Sequence, residues 1–326
     1  MLEPSESSPD GTSTIEPASV ARFGELPGYA PLLAARHAAH RAELAAIVAG
    51  LPLAEGSRVL DVPCGDGFYL PLLAERAGRG GEMVGVDIAP AFLQQARRDA
   101  GSPFGPPRLL DADVYALPFA DETFDFVWCA HSLISLREPV AALRELRRVT
   151  RAEGAIAVLE NDGLHDVLLP WPAELELAVH DALRAAIAAR HGSAGKMYAA
   201  RHLQELFHEA GLETIDRRTC AVDRTAPLPE ADRVFLRRYF DWLSRRVDRF
   251  LAPADRARLH ALIDRGSERY LPDSPDFEMS CLDVLMLGRA AAPPSFPRRR
   301  ESSPTSTPPL DARLRGHDAP SRTWKY

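Results

Sequence analysis

The sequence predicts an α/β fold in which a mostly parallel sheet carries helices on both faces. Short apolar runs alternate with amphipathic helical patterns from Arg58 to Glu160, and this alternation is typical of parallel strands joined by crossover helices. A glycine-rich turn joins the first of these strands to the helix after it. The chain has 326 residues, 46% of them apolar, which is enough for one domain of ordinary core size with additions.

The elements of this fold can be predicted in chain order. Leucine and alanine recur at helical spacing over Ala30–Val48, which predicts an amphipathic helix ahead of the first strand. The predicted strands are Arg58–Asp61, Met83–Asp87, Arg108–Leu110, Phe124–Ala130, Ala155–Glu160, Leu212–Val222 and Glu278–Gly288. The later helices are predicted from Gly67 onward and over Ala91–Asp99, Pro139–Thr150, Ala173–Arg190 and Arg201–Ala210. Together these elements make a seven-stranded sheet.

Composition divides the chain into five regions. The first residues are rich in Ser, Pro and Glu and the last are rich in Pro, Ser and Arg, so both ends are predicted to be disordered. The predicted regions are a disordered N-terminus (1–19), a helical segment (20–50), the core (51–160), the remainder of the fold (161–289) and a disordered tail (290–326). Two mostly helical insertions, about 161–200 and 228–272, are far longer than the connections between neighbouring strands require.

Charge and cysteine usage exclude several classes of protein. The net charge is -7, and an acidic protein disfavours a nucleic-acid partner, whose phosphates need a basic face. No apolar run approaches the roughly 18 residues of a membrane span, and the N-terminus lacks an apolar signal region. The four cysteines have neither metal-type nor disulfide-type spacing. We therefore expect a cytoplasmic protein without a bound metal.

The turn after the first strand has the pattern of a ligand-binding loop. Asp61 ends the strand, and Gly65 and Gly67 follow before a helix begins. Such a turn brings the backbone and the N–H groups of the helix close to a ligand. Pro63 stiffens the turn and donates no hydrogen bond there. Phe68 and its neighbours leave no third glycine, which a dinucleotide-binding turn would use for its pyrophosphate.

Three further features accompany this loop: Asp87 at the end of the second strand, the segment LLDADVYALPFADETFDFV and the helix ALRELRRVTRAEGAIAV. Together with the loop, they resemble the motifs of class I S-adenosylmethionine-dependent methyltransferases. The chain is most similar to the small-molecule group that includes ubiquinone and menaquinone biosynthesis enzymes. The resemblance covers roughly Arg58 to Glu160 and is weaker up to Gly288. It implies a Rossmann-like sheet, S-adenosylmethionine as cofactor and methyl transfer to a small organic acceptor.

The resemblance also assigns roles to individual residues. Gly65 and Gly67 would let the turn pass beneath the methionine part of the cofactor, and Asp61 would hold the loop and help to meet the amino group. Asp87 would bind the two ribose hydroxyls, although it could instead cap the helix after it. The remaining cofactor contacts would come from Pro63, Ile88, Asp111, Ala112 and Ala130, with Asp111 preferred over Asp113 for the adenine amino group.

Methyl transfer requires little of the protein beyond alignment, unless the acceptor must first lose a proton. His131, directly after the fourth strand, is the leading candidate for the base, and His165 is the second. An activated carbon nucleophile would need neither. The two insertions would form the walls of the acceptor pocket, and their aromatic residues would suit an apolar or aromatic acceptor: Trp171, Tyr198, Tyr239, Phe240 and Trp242. These side chains could equally pack the helices together.

Other functions remain open at this point. A DNA base methyltransferase would carry a different motif where WCAHSL stands, and a nicotinamide-dependent oxidoreductase would prefer the missing third glycine. A non-catalytic or regulatory protein that binds S-adenosylmethionine is the main alternative, because no catalytic residue is fixed by the pattern. We expect a monomer or a weak homodimer. The identity of the acceptor and the atom that is methylated are left open.

Overall fold

The computed structural model of the chain describes residues 25–101, 104–163, 166–191 and 195–290. The predicted disordered ends, 1–19 and the tail after Ala290, lie outside these residues, as does His165. Ala290, predicted to begin the tail, is instead the last residue of a strand.

The predicted sheet is confirmed. Its seven strands are β1 (Arg58–Asp61), β2 (Glu82–Asp87), β3 (Arg108–Asp111), β4 (Phe124–Ala130), β5 (Thr150–Asn161), β6 (Leu212–Thr225) and β7 (Glu278–Ala290). They are arranged in the order β3-β2-β1-β4-β5-β7-β6. The pairs from β3 to β5 are parallel, whereas β7 is antiparallel to both of its neighbours. The sheet is thus mostly parallel, with one reversed strand.

Helices cover both faces of the sheet and form the two insertions. They are α1 (Ala30–Ala39), α2 (Arg41–Ala49), α3 (Tyr69–Ala77), α4 (Pro90–Asp99), α5 (Pro139–Val149), α6 (Ala173–His191), α7 (Leu203–Glu209), α8 (Glu230–Val247) and α9 (Pro253–Ile263). Short 3-10 turns add Leu133–Ser135, Gly195–Arg201 and Leu271–Asp273. None of the helices in the described parts of the chain has both the length and the apolar character needed to cross a membrane.

The prediction of one helix over Ala30–Val48 was wrong in one respect, because the chain bends at His40 and forms α1 and α2. His40 has φ -104° and ψ 17°, and its buried ring lies edge-on to Phe235 of α8 at 4.9 Å between centroids. The bend lets α1 pack on α8 while α2 packs on α3. Tertiary packing therefore interrupts a pattern that is locally continuous.

Several other element boundaries differ from the prediction by a few residues, including those of α7 and β5. The helix predicted over Arg201–Ala210 is α7, Leu203–Glu209, and a 3-10 turn precedes it. Strand β5 begins at Thr150, directly after α5, because its first residues pair with β4 before a register shift between Phe124 and Phe126. Both corrections lengthen or shorten elements without changing the topology.

The hydrophobic core has a part on each face of the sheet and a third part in the insertions. The insertions share one apolar cluster, in which α6 and α8 pack together with α1. Because β6 runs parallel to β1–β5, the insertions after β5 and β6 both leave the sheet at the edge where the parallel strands end. Open parallel sheets bind their ligands at this edge.

Candidate functional site

The turn between β1 and α3 is shaped by two glycines with left-handed backbone. Gly65 has φ +51° and Gly67 has φ +81°. A Cβ on Gly67 would lie 2.7 Å from the Cβ of Ala96, so this position is needed for packing against α4. A Cβ on Gly65 would meet nothing nearer than Leu33 Cδ2 at 3.9 Å. Gly65 thus presents open backbone at the edge of the sheet.

The carboxylate of Asp87 fastens this turn to the end of β2. Its Oδ2 accepts a hydrogen bond from the Gly65 N–H at 2.9 Å, and its Oδ1 accepts one from the Ala89 N–H at 2.8 Å. Burial raises the pKa of Asp87 above its ordinary value, although the backbone donors favour the charged form. This geometry is compatible with both roles suggested for Asp87, binding of the ribose hydroxyls and capping of the following helix, because each oxygen has a second lone pair for a ligand.

Asp61, at the end of β1, is buried beneath the turn with only 1% of its surface exposed. Its Oδ2 has no hydrogen-bond partner in the described structure. Burial, followed by the neighbouring charges of Asp66 and Asp87, raises its pKa well above the ordinary value. A buried acceptor without a donor is costly, and a cationic donor from a ligand would remove that cost.

The other residues that the resemblance assigns to the cofactor also lie at or just after the strand ends: Pro63, Ile88, Asp111, Ala112 and Ala130. Asp111 is exposed at the end of β3, in register with Asp87. The resemblance assigned the Ala112 N–H to a ring nitrogen of the cofactor's adenine. In the structure this N–H donates to the Asp87 carbonyl at 3.3 Å.

His131 follows β4 at the same edge and has a strained backbone, with φ +50°. Non-glycine residues in this region are uncommon and are often found at functional sites. Its N–H donates to the Leu159 carbonyl at 2.7 Å. In its ring, Nε2 lies 3.1 Å from Asp283 Oδ1, whereas the buried Nδ1 has no partner among the residues that the structure describes.

Glu160, near the end of β5, holds the loop after His131 in place. Its Oε1 accepts hydrogen bonds from the N–H groups of Ser132 at 2.7 Å and Leu133 at 2.5 Å. The carboxyl is fully buried, and burial raises its pKa to about 7 although His131 and the backbone donors oppose the shift. The loop is thus fixed by an acid that titrates near neutral pH.

A buried ion-pair network connects α1 to β7. Arg36 contacts Asp283 Oδ1 at 2.7 Å through one nitrogen and Asp166 Oδ1 at 2.5 Å through another. Burial disfavours the charge on Asp283, but Arg36 and His131 hold its pKa well below the ordinary value. The same oxygen of Asp283 therefore contacts a permanent cation and an imidazole.

A second contact of α1 reaches the ligand-binding turn. His37 Nδ1 lies 3.1 Å from Asp66 Oδ2, and its ring stacks on Phe68 with 4.1 Å between centroids. Tyr69 lies edge-on to His37 at 5.6 Å and tilted to His131 at 6.5 Å. The residues of the turn and His131 after β4 are therefore linked through the rings of His37 and Tyr69.

Buried polar atoms without a partner concentrate around this edge. Within the described residues they include Asp61 Oδ2, Tyr69 Oη, His131 Nδ1, Glu160 Oε2 and His37 Nε2. Buried polar groups in native proteins are normally satisfied by protein, water or ligand. Their concentration here supports a site that is completed by polar molecules. No group of three or more His, Cys, Asp or Glu side chains in the described chain is arranged to hold a metal ion.

The aromatic residues predicted for the acceptor walls lie in the insertions. Tyr239 and Phe240 are buried in the insertion core, and Trp171, Tyr198 and Trp242 pack against it partly exposed. These aromatic side chains therefore pack the helices of the insertions together, which is the alternative that the sequence left open. Trp171, Tyr239 and Trp242 also line a small cavity that Asp166 borders.

Sequence reasoning missed Arg36, Asp166, Asp283 and Glu160. Two signals were available in the sequence. Arg36, His37 and His40 place three basic groups within five residues of an otherwise Ala/Leu-rich helix, and Asp283 is the one charge in the apolar run from Cys281 to Leu287. Isolated polar groups on buried faces are expected to be paired, and here they pair with each other.

Comparison with known proteins matches the core of this fold. Residues 60–158 match the family model described as Methyltransferase domain. The chain is 36% identical over 109 residues to demethylmenaquinone methyltransferase of Bacillus subtilis, which covers 32% of this chain and 46% of the relative. It is 40% identical over 116 residues to malonyl-[acyl-carrier protein] O-methyltransferase of Halorhodospira halophila, covering 35% and 39%. The chain thus spans less than half of the length of these curated relatives.

Among solved structures, the chain is similar to a SAM-dependent methyltransferase from Aquifex aeolicus, with 22% identity, a TM-score of 0.42 and coverage of 55% of this chain and 85% of the other. The sequence matches fall on the segment that contains β1–β5, the glycine turn and the acidic strand ends. Residues 60–158 of this chain therefore match a methyltransferase domain, the kind of domain that the sequence pattern predicted.

Proposed function

We propose that the chain is an S-adenosylmethionine-dependent methyltransferase that transfers a methyl group to a small organic acceptor. The observation that carries the proposal is the buried Asp61 Oδ2 without a donor, beside the open backbone of Gly65 and the anchored carboxylate of Asp87. These groups lie in a domain that matches the methyltransferase family.

The residues at the strand ends fit this cofactor chemically. Asp61 offers a buried carboxylate to an ammonium group, and Asp87 offers free lone pairs to two neighbouring hydroxyls. Gly65 leaves room for close approach to the backbone. When bound, the cofactor supplies an electrophilic methyl group on a sulfonium, so the protein's own residues have to bind, align and exclude water.

The acceptor would bind on the side of the site formed by β4, β5 and β7, beneath α1 and the insertions. His131 would act there as a base for an acceptor that carries a proton. Its unpartnered Nδ1 supports this role. His165, the second candidate, follows β5 in the sequence.

The curated relatives are named for demethylmenaquinone and for a malonyl group on a carrier protein. Both names describe methyl transfer to one reactive group of a small organic moiety, and we propose an acceptor of this general kind. A monomeric or weakly dimeric state and a cytoplasmic location belong to the same proposal. The latter is supported by the four cysteines, which are all free.

Cofactor binding is tested by calorimetry with S-adenosylhomocysteine. We expect Asp87→Ala to weaken binding more than tenfold, or by about 1.4 kcal/mol or more. Asp99→Ala removes an exposed carboxylate at the far end of the same β2–α4 unit and should leave the affinity unchanged. Equal affinity for the three proteins would overturn the ribose assignment, and tighter binding of NAD than of S-adenosylhomocysteine would overturn the proposed function.

Transfer itself is tested with methyl-labelled S-adenosylmethionine and a panel that contains naphthohydroquinones, catechols, amines and carboxylates. Label in any product confirms the enzyme. Tight binding of S-adenosylhomocysteine without label in any product would favour a non-catalytic or regulatory protein.

A further inference from the structure

The two ring nitrogens of His131 have different surroundings. Nε2 contacts Asp283 Oδ1 at 3.1 Å, and Nδ1 is buried without a partner in the described structure. Asp283 is itself buried and contacts the Arg36 guanidinium at 2.7 Å. An ionised carboxylate only accepts hydrogen bonds, so Nε2 must carry the proton of the neutral ring. The lone pair is then on Nδ1.

We propose that Asp283, supported by Arg36, is a positioning residue that fixes this tautomer, that Nδ1 of His131 is the proton-accepting atom, and that the acceptor is a neutral molecule with a removable proton rather than a carboxylate. The inference rests on the proposed methyltransferase function.

Arg36 keeps Asp283 in the role of an acceptor. It bridges Asp283 and Asp166, so the Asp283 oxygen that contacts the imidazole also contacts a permanent cation. An unpaired buried carboxyl would take up a proton and could donate to Nε2, which would reverse the tautomer. The pair therefore determines which ring nitrogen remains basic.

Strand β5 holds the backbone of His131 in this position. The His131 N–H is bonded to the end of β5 through Leu159, and the next two N–H groups are bonded to Glu160. The left-handed conformation of His131 is thus fixed by three hydrogen bonds. A residue held with this strain is expected to be positioned for a task.

The charges around His131 argue against an anionic acceptor. The groups that face it are Asp283 from β7, Glu160 from β5, His37 and Arg36 from α1 and Tyr69 from α3. Asp283 and Asp166 together outnumber the single charge of Arg36, and Glu160 adds a partial charge near pH 7. A carboxylate would be repelled here, and it would not need a base. A phenol or hydroquinone type of acceptor needs one and carries no charge.

The proton step balances without another reactant. The acceptor's X–H proton moves to Nδ1, and the electron pair of that bond stays on the acceptor, which becomes the nucleophile. The imidazolium that forms is ion-paired with Asp283. Water takes the proton after the product has left.

The tautomer can be measured without turnover. Protein labelled with nitrogen-15 at histidine and saturated with S-adenosylhomocysteine gives long-range correlations for both ring nitrogens, and the His131→Gln variant assigns the signals. We expect a protonated Nε2 and an unprotonated Nδ1 at neutral pH. A proton on Nδ1 in the unmodified protein would overturn the proposal, whatever the cofactor affinity.

Asp283→Asn should remove the preference for this tautomer. A matched control is Asp264→Asn, which makes the same change beside another histidine, because Asp264 lies 3.3 Å from His260 Nδ1 on α9. The control should alter the His260 signals and leave those of His131 unchanged. An unaltered His131 tautomer in a folded Asp283→Asn protein would overturn the positioning role. If this variant does not fold, the measurement on the unmodified protein decides.

Kinetics with a reduced 1,4-naphthohydroquinone and with a carboxylate probe test the acceptor class. We expect methylation of the hydroquinone only, a loss of about a hundredfold or more in kcat for His131→Gln, and an acid limb of the kcat profile that moves to lower pH in Asp283→Asn. The affinity for S-adenosylhomocysteine should stay the same in both variants. Preferred methylation of the carboxylate, or an unchanged pH profile, would overturn the inference while leaving the methyltransferase function intact.

Discussion

Two glycines of the same turn should respond differently to the same substitution. At Gly67, φ is +81° and an added Cβ would lie 2.7 Å from Ala96 Cβ and 3.2 Å from Ala100 Cβ. The left-handed backbone costs an L-residue about 1–2 kcal/mol, and overpacking adds about 1–3 kcal/mol. At Gly65, φ is +51° and the added Cβ would meet only Leu33 Cδ2, at 3.9 Å. Only the backbone cost, about 1–2 kcal/mol, applies there.

We therefore expect Gly67→Ala to lower the free energy of unfolding by about 2–5 kcal/mol and Gly65→Ala by about 1–2 kcal/mol. Urea denaturation followed by circular dichroism measures both values. Calorimetry with S-adenosylhomocysteine should show the opposite order, with Gly65→Ala weakening binding more than tenfold because its methyl group stands on the open face of the turn. Wild-type affinity in Gly65→Ala would refute the assignment of this face to the cofactor. Equal stabilities of the two variants would refute the packing argument.

Two further predictions concern stability. Burial raises the pKa of Glu160 from 4.5 to about 7. The folded protein therefore binds more protons than the unfolded chain between these pH values. The stability that this group contributes below pH 4.5 is lost as the pH rises through 7. Glu160→Gln should lack this loss, which is about 2–3 kcal/mol between about pH 5 and pH 7.5 and can be measured by urea denaturation at these two values. A pH-independent difference between the variant and the unmodified protein would contradict the burial argument. Arg224→Met should cost about 3–5 kcal/mol in the free energy of unfolding, because it leaves Asp232, 2.9 Å away and only 3% exposed at its side chain, without its cation. Arg218→Met breaks only an exposed pair and should change the stability by less than about 1 kcal/mol; equal losses would refute the role of burial.

The sequence was sufficient to predict the core of the fold. Strands β1 and β4 have the predicted bounds, because short apolar runs that end in an acid or a loop leave little freedom in where a buried strand begins and ends. The glycine turn and Asp87 were predicted at one edge, and they meet there through the hydrogen bond from Gly65 to the carboxylate. These features depend on local pattern and on the rule that parallel strands end together.

The acceptor side could not be predicted in the same way. Arg36 and Asp283 are separated by 247 positions, and nothing in the local pattern of either segment specifies the other. The break at His40 also depends on a distant group, the ring of Phe235 in the second insertion. The acceptor side of the site is therefore built from long-range pairs of buried charges, which the periodicity of the sequence does not reveal. The only sequence signal for these pairs was the residue type, a charged residue on an otherwise apolar face.

Helix α1 links the two halves of the site. Leu33 lies next to Gly65 of the turn, His37 contacts Asp66 of the same turn, and Arg36 pairs with Asp283 on the acceptor side. These three residues occupy little more than one turn of helix, so α1 cannot move away from one half without moving away from the other. Separating Arg36 from Asp283 would also leave buried charges unpaired, at a cost of about 3–5 kcal/mol. We therefore expect α1 to remain a fixed wall of the site, and acceptors to enter beside the insertions after β5 and β6.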